Sequence, residues 1–512
     1  MGFFWIVGLA CCLGQTPSDA FFSGPIPEIR LLLAPDAENA LRNDPRTYVK
    51  AQFSANGAKP VEIGIKIKGA AGSTRPYDDR PALTLNMDKY HRGQNYQGMD
   101  KFHLNNSVQD PTYLNELIGS TISLAAKVPA TRVTHARLRI NKRDLGLFVL
   151  KEGFDSGFLK RHFVDKKGSL FDGGFLQDID ADLQRDSGPG PDDKRELKSL
   201  LAACREPDPA RRKIALEKVL DVEEMISFLA VEQMLGHWDG YARNRNNYRI
   251  YFHPVSKKAA FLPHGMDQLW ENFPVMEPPG AIVASAVNSD PDWRKLYRKR
   301  VEALLPLFES KAIDGVIDPV LKRIKPIVAS LGKDFANSHA EEVKGLRERI
   351  RERYQSMVTS LKERDPEPLV FGPEGSQRIH GWQTQTDQGE PKIGEVEIKG
   401  QKINSMVLVP DQPTASGWRT AVTLAKGKYR LAVRMKTTGI VPMMHEKGSG
   451  ADLRISGEKG RTGLAGNNDW TVRTLDFEVT EPVKNVVLIC EVHGKAGTLF
   501  MDPEAKIVKR QE

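Results

Sequence analysis

The sequence predicts an α+β chain in two folded parts, a mixed region of strands and helices followed by an all-β region. Three observations predict it. Between about Pro25 and Pro291, runs that alternate by two are interleaved with helical ones. From Trp293 to about Arg364, apolar residues recur at steps of three and four. Asp365-Pro366-Glu367-Pro368 and Gly372-Pro373-Glu374-Gly375 then break the helix, and alternation by two takes over to the end. The expected organisation is a first domain over 25–364, a linker over 365–376 and a second domain over 377–512. A length of 512 residues accommodates this at roughly 150 residues per domain. With 40% hydrophobic residues the chain can build cores, which excludes a disordered polymer. The 74 basic and 66 acidic residues leave a net charge of only +8, and no Lys/Arg stripe is interleaved with aromatics, so a nucleic-acid partner is not indicated.

In chain order, Met1 to Leu13 comes first, apolar for about a dozen residues and too short for a bilayer span of about 20. It has the length of a signal-peptide core, and Ser18-Asp19-Ala20 offers small residues for cleavage after Ala20, so a leader over 1–20 and export are expected. Two of the four cysteines lie in it, leaving Cys204 and Cys490 far apart, with no disulfide framework or CxxC metal pattern. Val61, Ile63, Ile65 and Ile67 alternate with polar residues and predict a strand with one buried face. Asp110-Pro111 predicts the cap of a helix carrying Leu114, Leu117 and Ile118. Thr131–Ile140 and Leu145–Lys151 read as a strand pair turning at Asn141-Lys142-Arg143-Asp144. Asp221 and Glu224 form a capping box before a helix that is apolar almost all round, hence central. Val343, Leu346, Ile350, Tyr354, Met357 and Leu361 give a later helix one apolar stripe. Beyond the linker, Tyr429, Leu431, Val433 and Met435 alternate, as do Leu475, Phe477 and Val479, which predicts a sandwich or jelly roll.

The chemistry concentrates in His237-Trp238-Asp239-Gly240-Tyr241-Ala242-Arg243-Asn244-Arg245-Asn246-Asn247-Tyr248, directly after the central helix. Two short strands follow, then Pro263-His264-Gly265-Met266-Asp267. A carboxylate and an amide after a helix, a hairpin, then a second carboxylate is how protein kinases build their metal site, and His237-x-Asp239-x4-Asn244 has the spacing of their catalytic loop. Mg²⁺ takes hard oxygen ligands, so Asp and Asn suit it, while the other carboxylate orients or deprotonates an attacking hydroxyl. Asp178-Ile179-Asp180-Ala181-Asp182 imitates a Ca²⁺ loop but has Leu183 and Pro189 where Gly and an acidic ligand belong, which excludes an EF-hand. His103, His135 and His264 read as structural.

These segments resemble the CotH kinase family, relatives of spore-coat protein H with an atypical protein-kinase-like fold. The resemblance rests on His237 to Tyr251, Pro263 to Asp267, Lys101 to Ser107 with Asp110-Pro111, Leu138 to Asp155, and Leu170 to Gly174. It implies a two-lobed kinase-like domain binding ATP and Mg²⁺ and phosphorylating Ser or Thr hydroxyls of protein substrates. Asp267 would bind the metal, with Asn244 or Asn247 as second ligand, and Asp239 would be the catalytic-loop Asp with Asn244 beside it. Glu152 would hold the phosphate-binding cation. At the family's lysine step stands Arg80, with Lys68 and Lys66 in reserve. The second domain resembles jelly-roll carbohydrate-binding modules, with Trp382, Trp418 and Trp470 as candidate sugar contacts. Two other readings compete: a binding protein on a decayed kinase scaffold, and a glycosidase using Asp239 and Glu152 as its carboxylate pair.

Overall fold

The computed structural model describes residues 17–70, 72–363, 365, 367–398, 400–444 and 448–510. The apolar run of the expected leader lies outside the described residues. Cleavage after Ala20 would fall within a described helix, α1 (Pro17–Ser23), whose Asp19 carboxylate bonds Arg132. The chain divides into two compact units between Glu363 and Arg364, residues 207–210 and 289–291 grouping with the second.

Seven strands build the barrel of the first unit: β1 (Glu28–Leu32), β2 (Val49–Ala55), β3 (Val61–Lys68), β4 (Ala82–Asn86), β5 (Lys101–Asn105), β6 (Val133–Ile140) and β7 (Arg143–Glu152). It closes in the order β1-β2-β3-β4-β5-β7-β6, with β1 and β6 parallel and the other pairs antiparallel. Alternation on β3 sends Ile63, Ile65 and Ile67 inside, where they meet Phe53, Leu83, Phe102, Leu138 and Leu150. Each such side chain contributes about 1.5–3 kcal/mol by leaving water, which fixes the register because a one-residue slip would turn Lys66 and Lys68 inward. The β6–β7 turn is tighter than expected. Asn141 adopts a left-handed φ of 52°, and Arg143 and Asp144 already belong to β7.

The helices are α2 (Pro35–Asn43), α3 (Asn115–Ala125), α4 (Ser156–His162), α5 (Arg195–Cys204), α6 (Pro209–Val219), α7 (Val222–Met234), α8 (Tyr241–Asn244), α9 (Ile282–Asn288), α10 (Pro291–Leu304), α11 (Ser310–Ser330) and α12 (Lys333–Lys362). A second sheet comprises β8 (Ser169–Asp172), β9 (Arg185–Ser187), β10 (Tyr248–Phe252) and β11 (Ala259–Pro263), ordered β11-β10-β8-β9; α4 and α7 pack on it, whereas α2 packs on the barrel through Leu41. Helix α3 begins later than Asp110-Pro111 predicts, because Asp110 caps it from a loop, accepting the N–H of Asn115 at 2.8 Å and of Thr112 at 3.0 Å. Helix α7 is buried almost all round, as its sequence predicts. On α12, Val343, Leu346, Ile350 and Met357 face the core, and so does Arg353.

The second unit is all β: β12 (Ser376–Ile379), β13 (Gln383–Gln388), β14 (Lys392–Ile398), β15 (Gln401–Leu408), β16 (Thr414–Pro442), β17 (Gly450–Ile455), β18 (Gly466–Met501) and β19 (Ala505–Arg510). Its strands run β12-β19-β16-β18-β15-β14, with β13 on β16 and β17 on β18. Trp418 is buried in the core with Tyr429 and Leu431. Trp382 packs half-buried against that core, and Trp470 lies half-buried under the Arg434 guanidinium, 4.8 Å from the ring centre. None of the three expected sugar contacts presents a fully exposed ring.

The capping box at α7 is half made. Asp221 accepts the Glu224 N–H at 3.1 Å, but Glu224 Oε1 is buried without a hydrogen bond. Burial, then Asp221, raises the Glu224 pKa from 4.5 to about 7. Between those values the unfolded chain has lost this proton and the folded chain keeps it, so stability falls as pH rises through the window. The full linkage of about 3 kcal/mol is reduced by partial exposure. Glu224→Gln, neutral throughout, is therefore expected to stabilise the protein by about 1–2 kcal/mol at pH 8 and hardly at all at pH 4.5, measured by urea unfolding.

Candidate functional site

Helix α7 ends in a loop whose backbone is held from behind. Glu232, buried on the last turn, accepts the N–H groups of Tyr241 at 2.7 Å and Ala242 at 2.8 Å, which caps α8. Gly240 makes this possible, since a Cβ there would meet Glu232 Oε1 at 2.3 Å. Burial raises the Glu232 pKa to about 7. Arg353 donates to the carbonyls of Gln233, Met234 and Phe273 and lies over the Phe273 ring, pinning the end of α7 to a later segment.

Within the loop, asparagines fix Asp239. Oδ1 accepts from Asn244, Oδ2 accepts from Asn246 at 3.0 Å and Asn247 at 2.7 Å, and the carbonyl accepts from Asn247 at 3.0 Å. The run of Asn residues is thus a cradle that presents one carboxylate. Two bonds tie the cradle to the segment that carries Asp267. His237 Nε2 pairs with the Gly265 carbonyl at 3.1 Å, and the His264 N–H donates to the Asn247 carbonyl at 2.9 Å. Gly265 has φ +55°, and a Cβ there would meet Asn247 Oδ1 at 2.1 Å, so the approach needs glycine. Burial pushes the His237 pKa down to about 4, leaving a neutral imidazole between the two segments.

The barrel supplies the cations. Register aligns Lys66, Thr84, His103 and Lys151 across β3, β4, β5 and β7, on the face opposite the barrel core. Lys151 Nζ meets both oxygens of Glu116 on the first turn of α3, at 2.8 and 2.7 Å, with the side chains 1% and 3% exposed. Lys68 stands two residues beyond Lys66. Burial, then the charge of Lys151, lowers its pKa, while Glu116 and Asp267 oppose that shift. Asp267 is the counterpart: burial, then Glu116, raises its pKa, and Lys68 and Lys151 pull it back. Burial, then the surrounding cations, holds His103 and His264 far below the usual imidazole range, so both are neutral. Lys68, Lys151, Glu116 and Asp267 therefore share one electrostatic neighbourhood.

The structure brings Asp239, Asn244 and Asn247 together and places Asp267 within electrostatic reach of Lys68. It does not bring Arg80 or Glu152 to them. Arg80 is one residue engaged elsewhere: its guanidinium donates to Tyr113 Oη at 3.1 Å and the Leu147 carbonyl at 2.7 Å and lies over Phe148, bracing the β6–β7 hairpin. Glu152 is another. Successive residues of β7 point to opposite faces, so Glu152 turns away from Lys151 to Arg132 and Arg161. Burial would raise its pKa, but the bonds and charges of Arg161 and Arg132 outweigh that and hold it low. A carboxylate ionised and clamped in this way cannot serve as a glycosidase acid. Asp178, read as a loop acid, accepts from Tyr241 Oη at 3.1 Å and from the Ile282 N–H at 2.8 Å, as a buried strut. The Lys151–Glu116 pair escapes sequence reasoning. Its one trace is a Glu flanked by Leu114, Leu117 and Ile118 on an apolar helix.

A divalent metal fits these donors. The Asp267 carboxylate accepts no hydrogen bond from another described side chain, and no described cluster of three or more His, Cys, Asp or Glu competes with it. One carboxylate with amide oxygens suits Mg²⁺, which draws much of its shell from phosphates and water.

Removing one partner of the buried pair leaves an uncompensated charge. Glu116→Leu is expected to cost about 3–5 kcal/mol, and Glu116→Leu with Lys151→Met to recover most of it, in urea unfolding of both variants.

A family model described as CotH kinase protein matches residues 65–357. Among curated proteins, Invasin CotH3 of Rhizopus delemar is 25% identical over 234 residues, covering 39% of this chain and 39% of its own length. Invasin CotH2 of the same organism is 24% identical over 387 residues, covering 63% of this chain and 64% of its own length. The chain thus spans about two-fifths and just under two-thirds of these relatives. Among solved structures, the Helicobacter pylori proinflammatory kinase CtkA aligns over 58% of this chain and 95% of its own, at 12% identity and a TM-score of 0.25, too low to add to the family match.

Proposed function

The chain belongs to the CotH kinase family, and from that premise we propose that it is an exported atypical protein kinase, transferring the γ-phosphoryl group of ATP to Ser or Thr hydroxyls of a protein substrate with Mg²⁺. The observation that carries this reading is the buried Lys151–Glu116 pair sharing a neighbourhood with Asp267. A lysine anchored on a strand by a helix glutamate, facing a metal-binding Asp, is the arrangement that kinases require for phosphoryl transfer. Lys151 and Lys68 take the phosphate-binding role first expected of Arg80, and Glu116 takes that of Glu152. Asp267 and Asn244 would hold the metal, with Asn247 in reserve. When bound, such a metal would supply positive charge to offset that of the phosphates.

Asp239, held by its asparagines, orients the acceptor hydroxyl and takes its proton as oxygen attacks the γ-phosphorus and the bond to ADP breaks. His103 on β5 and His264 on the Asp267 segment are neutral and add no charge. The diversion of Arg80 removes the sequence-level reason for a decayed scaffold, because the cation stands elsewhere. Export rests on the expectation that the apolar run from Met1 to Leu13 is a leader, and accords with relatives named invasins. The second unit is read as an ancillary jelly-roll-like module whose ligand is left open.

Incubation of the purified chain with γ-labelled ATP and Mg²⁺ tests this. Label on the chain or on a generic acceptor protein should fall at least about 100-fold in Asp267→Ala and in Lys151→Ala. Arg80→Lys should keep most of the rate per folded molecule. Folded wild type that transfers no label, or Asp267→Ala that labels normally, would end the kinase reading.

A further inference from the structure

Two adjacent residues of α3 reach in opposite directions. Glu116 holds Lys151 on the barrel, while Asn115, itself buried, donates from Nδ2 to the Asp267 carbonyl at 2.9 Å and accepts from Trp270 Nε1 at 2.8 Å. The first turn of this helix therefore grips the cation with one side chain and the metal-binding segment with the next.

The helix itself is fixed. Most of its residues are buried, and a Cβ on Gly119 would lie 2.9 Å from the sulfur of Met266, the residue before Asp267. Ser120 Oγ donates to the Thr131 carbonyl at 2.6 Å, and Arg300 from α10 donates to the Ala126 carbonyl at its far end. At its entry the Asp110 carboxylate caps the Asn115 N–H. Just upstream, His135 Nε2 contacts the Tyr113 carbonyl at 2.7 Å and His339 Nε2 the Thr112 carbonyl at 3.1 Å. A helix held at its entry, along one face and at its exit cannot swing without breaking buried hydrogen bonds, each costly to leave unmade.

We propose that Asn115 and Glu116 form a rigid clamp that keeps Lys151 and Asp267 in fixed register, so that the phosphoryl-transfer site is preassembled and is not switched by movement of α3. Asn115 is a positioning residue: it acts on the metal through the Asp267 backbone. In kinases where the lysine–glutamate pair must be made on activation, that helix is the moving part. Here the same helix is welded to the metal-binding segment. The inference rests on the kinase reading for its meaning, but the clamp can be judged without it.

Two measurements test the clamp on the full chain. The first is calorimetric binding of a non-hydrolysable ATP analogue with and without Mg²⁺. Asn115→Asp keeps an acceptor for Trp270 and loses the donor to Asp267, and Trp270→Phe does the reverse. Asn115→Asp should lose roughly tenfold or more of the Mg²⁺-dependent gain in affinity, while Mg²⁺-free affinity stays within about twofold. Trp270→Phe should lose less. Equal loss with and without Mg²⁺, or an unchanged gain, overturns the assignment.

The second is hydrogen exchange. Asn115→Asp should exchange faster over residues 264–271 while 117–125 stays protected, and wild-type α3 should show the same protection with and without nucleotide. New protection of α3 on binding would mean that it moves, which overturns the clamp. A wild type that binds no nucleotide refutes the kinase reading, and the comparison of exchange in Asn115→Asp with wild type still decides the clamp.

Discussion

An ammonium and a carboxylate buried together must satisfy each other almost completely, because the penalty for taking both from water is recovered only with close, well-directed bonds. Lys151 and Glu116 meet that condition, with both carboxylate oxygens within 2.8 Å of Nζ. Much of the first unit follows from the requirement. The barrel must turn Lys151 outward while Leu150 points in, which closure of the seven strands enforces. Helix α3 must present its first turn to β7, which explains why Asp110 caps it from a loop and why its path is bonded at both ends. The α7 loop must then reach the same place, and His237 to Gly265 and Arg353 to three carbonyls bring it there.

Charge is distributed over this region in a graded way. Lys151 has a dedicated partner in Glu116, Lys68 has no ion pair with another described residue, and burial, then Glu116, raises the proton affinity of Asp267. Such a site sets two ammonium groups against two carboxylates, with the Arg249 guanidinium, paired to Asp172, as a further cation within electrostatic reach. It suits an anionic ligand that carries a cation with it, because phosphates would satisfy Lys68 while a divalent ion would satisfy Asp267. The histidines contribute shape and hydrogen bonds while neutral.

Much of the fold was legible in the sequence where burial has one side. Ile63, Ile65 and Ile67 announce β3 by alternation, and Val343 to Leu361 announce α12 by its stripe. The Asp239 and Asp267 segments were legible because their chemistry needs particular residues at short spacing. What was not legible depends on partners distant in sequence. Arg353 falls on the apolar stripe of α12 by its spacing from Ile350 and Met357, yet nothing local says that three carbonyls await it. Arg80 matches a lysine step in order along the chain, yet the Leu147 carbonyl, fixed by a hairpin that its own segment cannot specify, takes its guanidinium. Glu152 and Lys151 are adjacent in sequence, and only the strand's two-residue period decides which of them faces α3. The jelly-roll expectation drew on strand alternation, which predicts β structure without fixing strand connections.

The central claim is that barrel, helix and loop converge on one metal–phosphate site. Crystals grown with Mn²⁺ and a non-hydrolysable ATP analogue test it directly through the anomalous signal of manganese. The account predicts a peak about 2.2 Å from an Asp267 oxygen, with a phosphate oxygen within hydrogen-bond reach of Lys151 Nζ. A peak remote from Asp267, or nucleotide bound at another face of the first unit with Lys151 untouched, would contradict it.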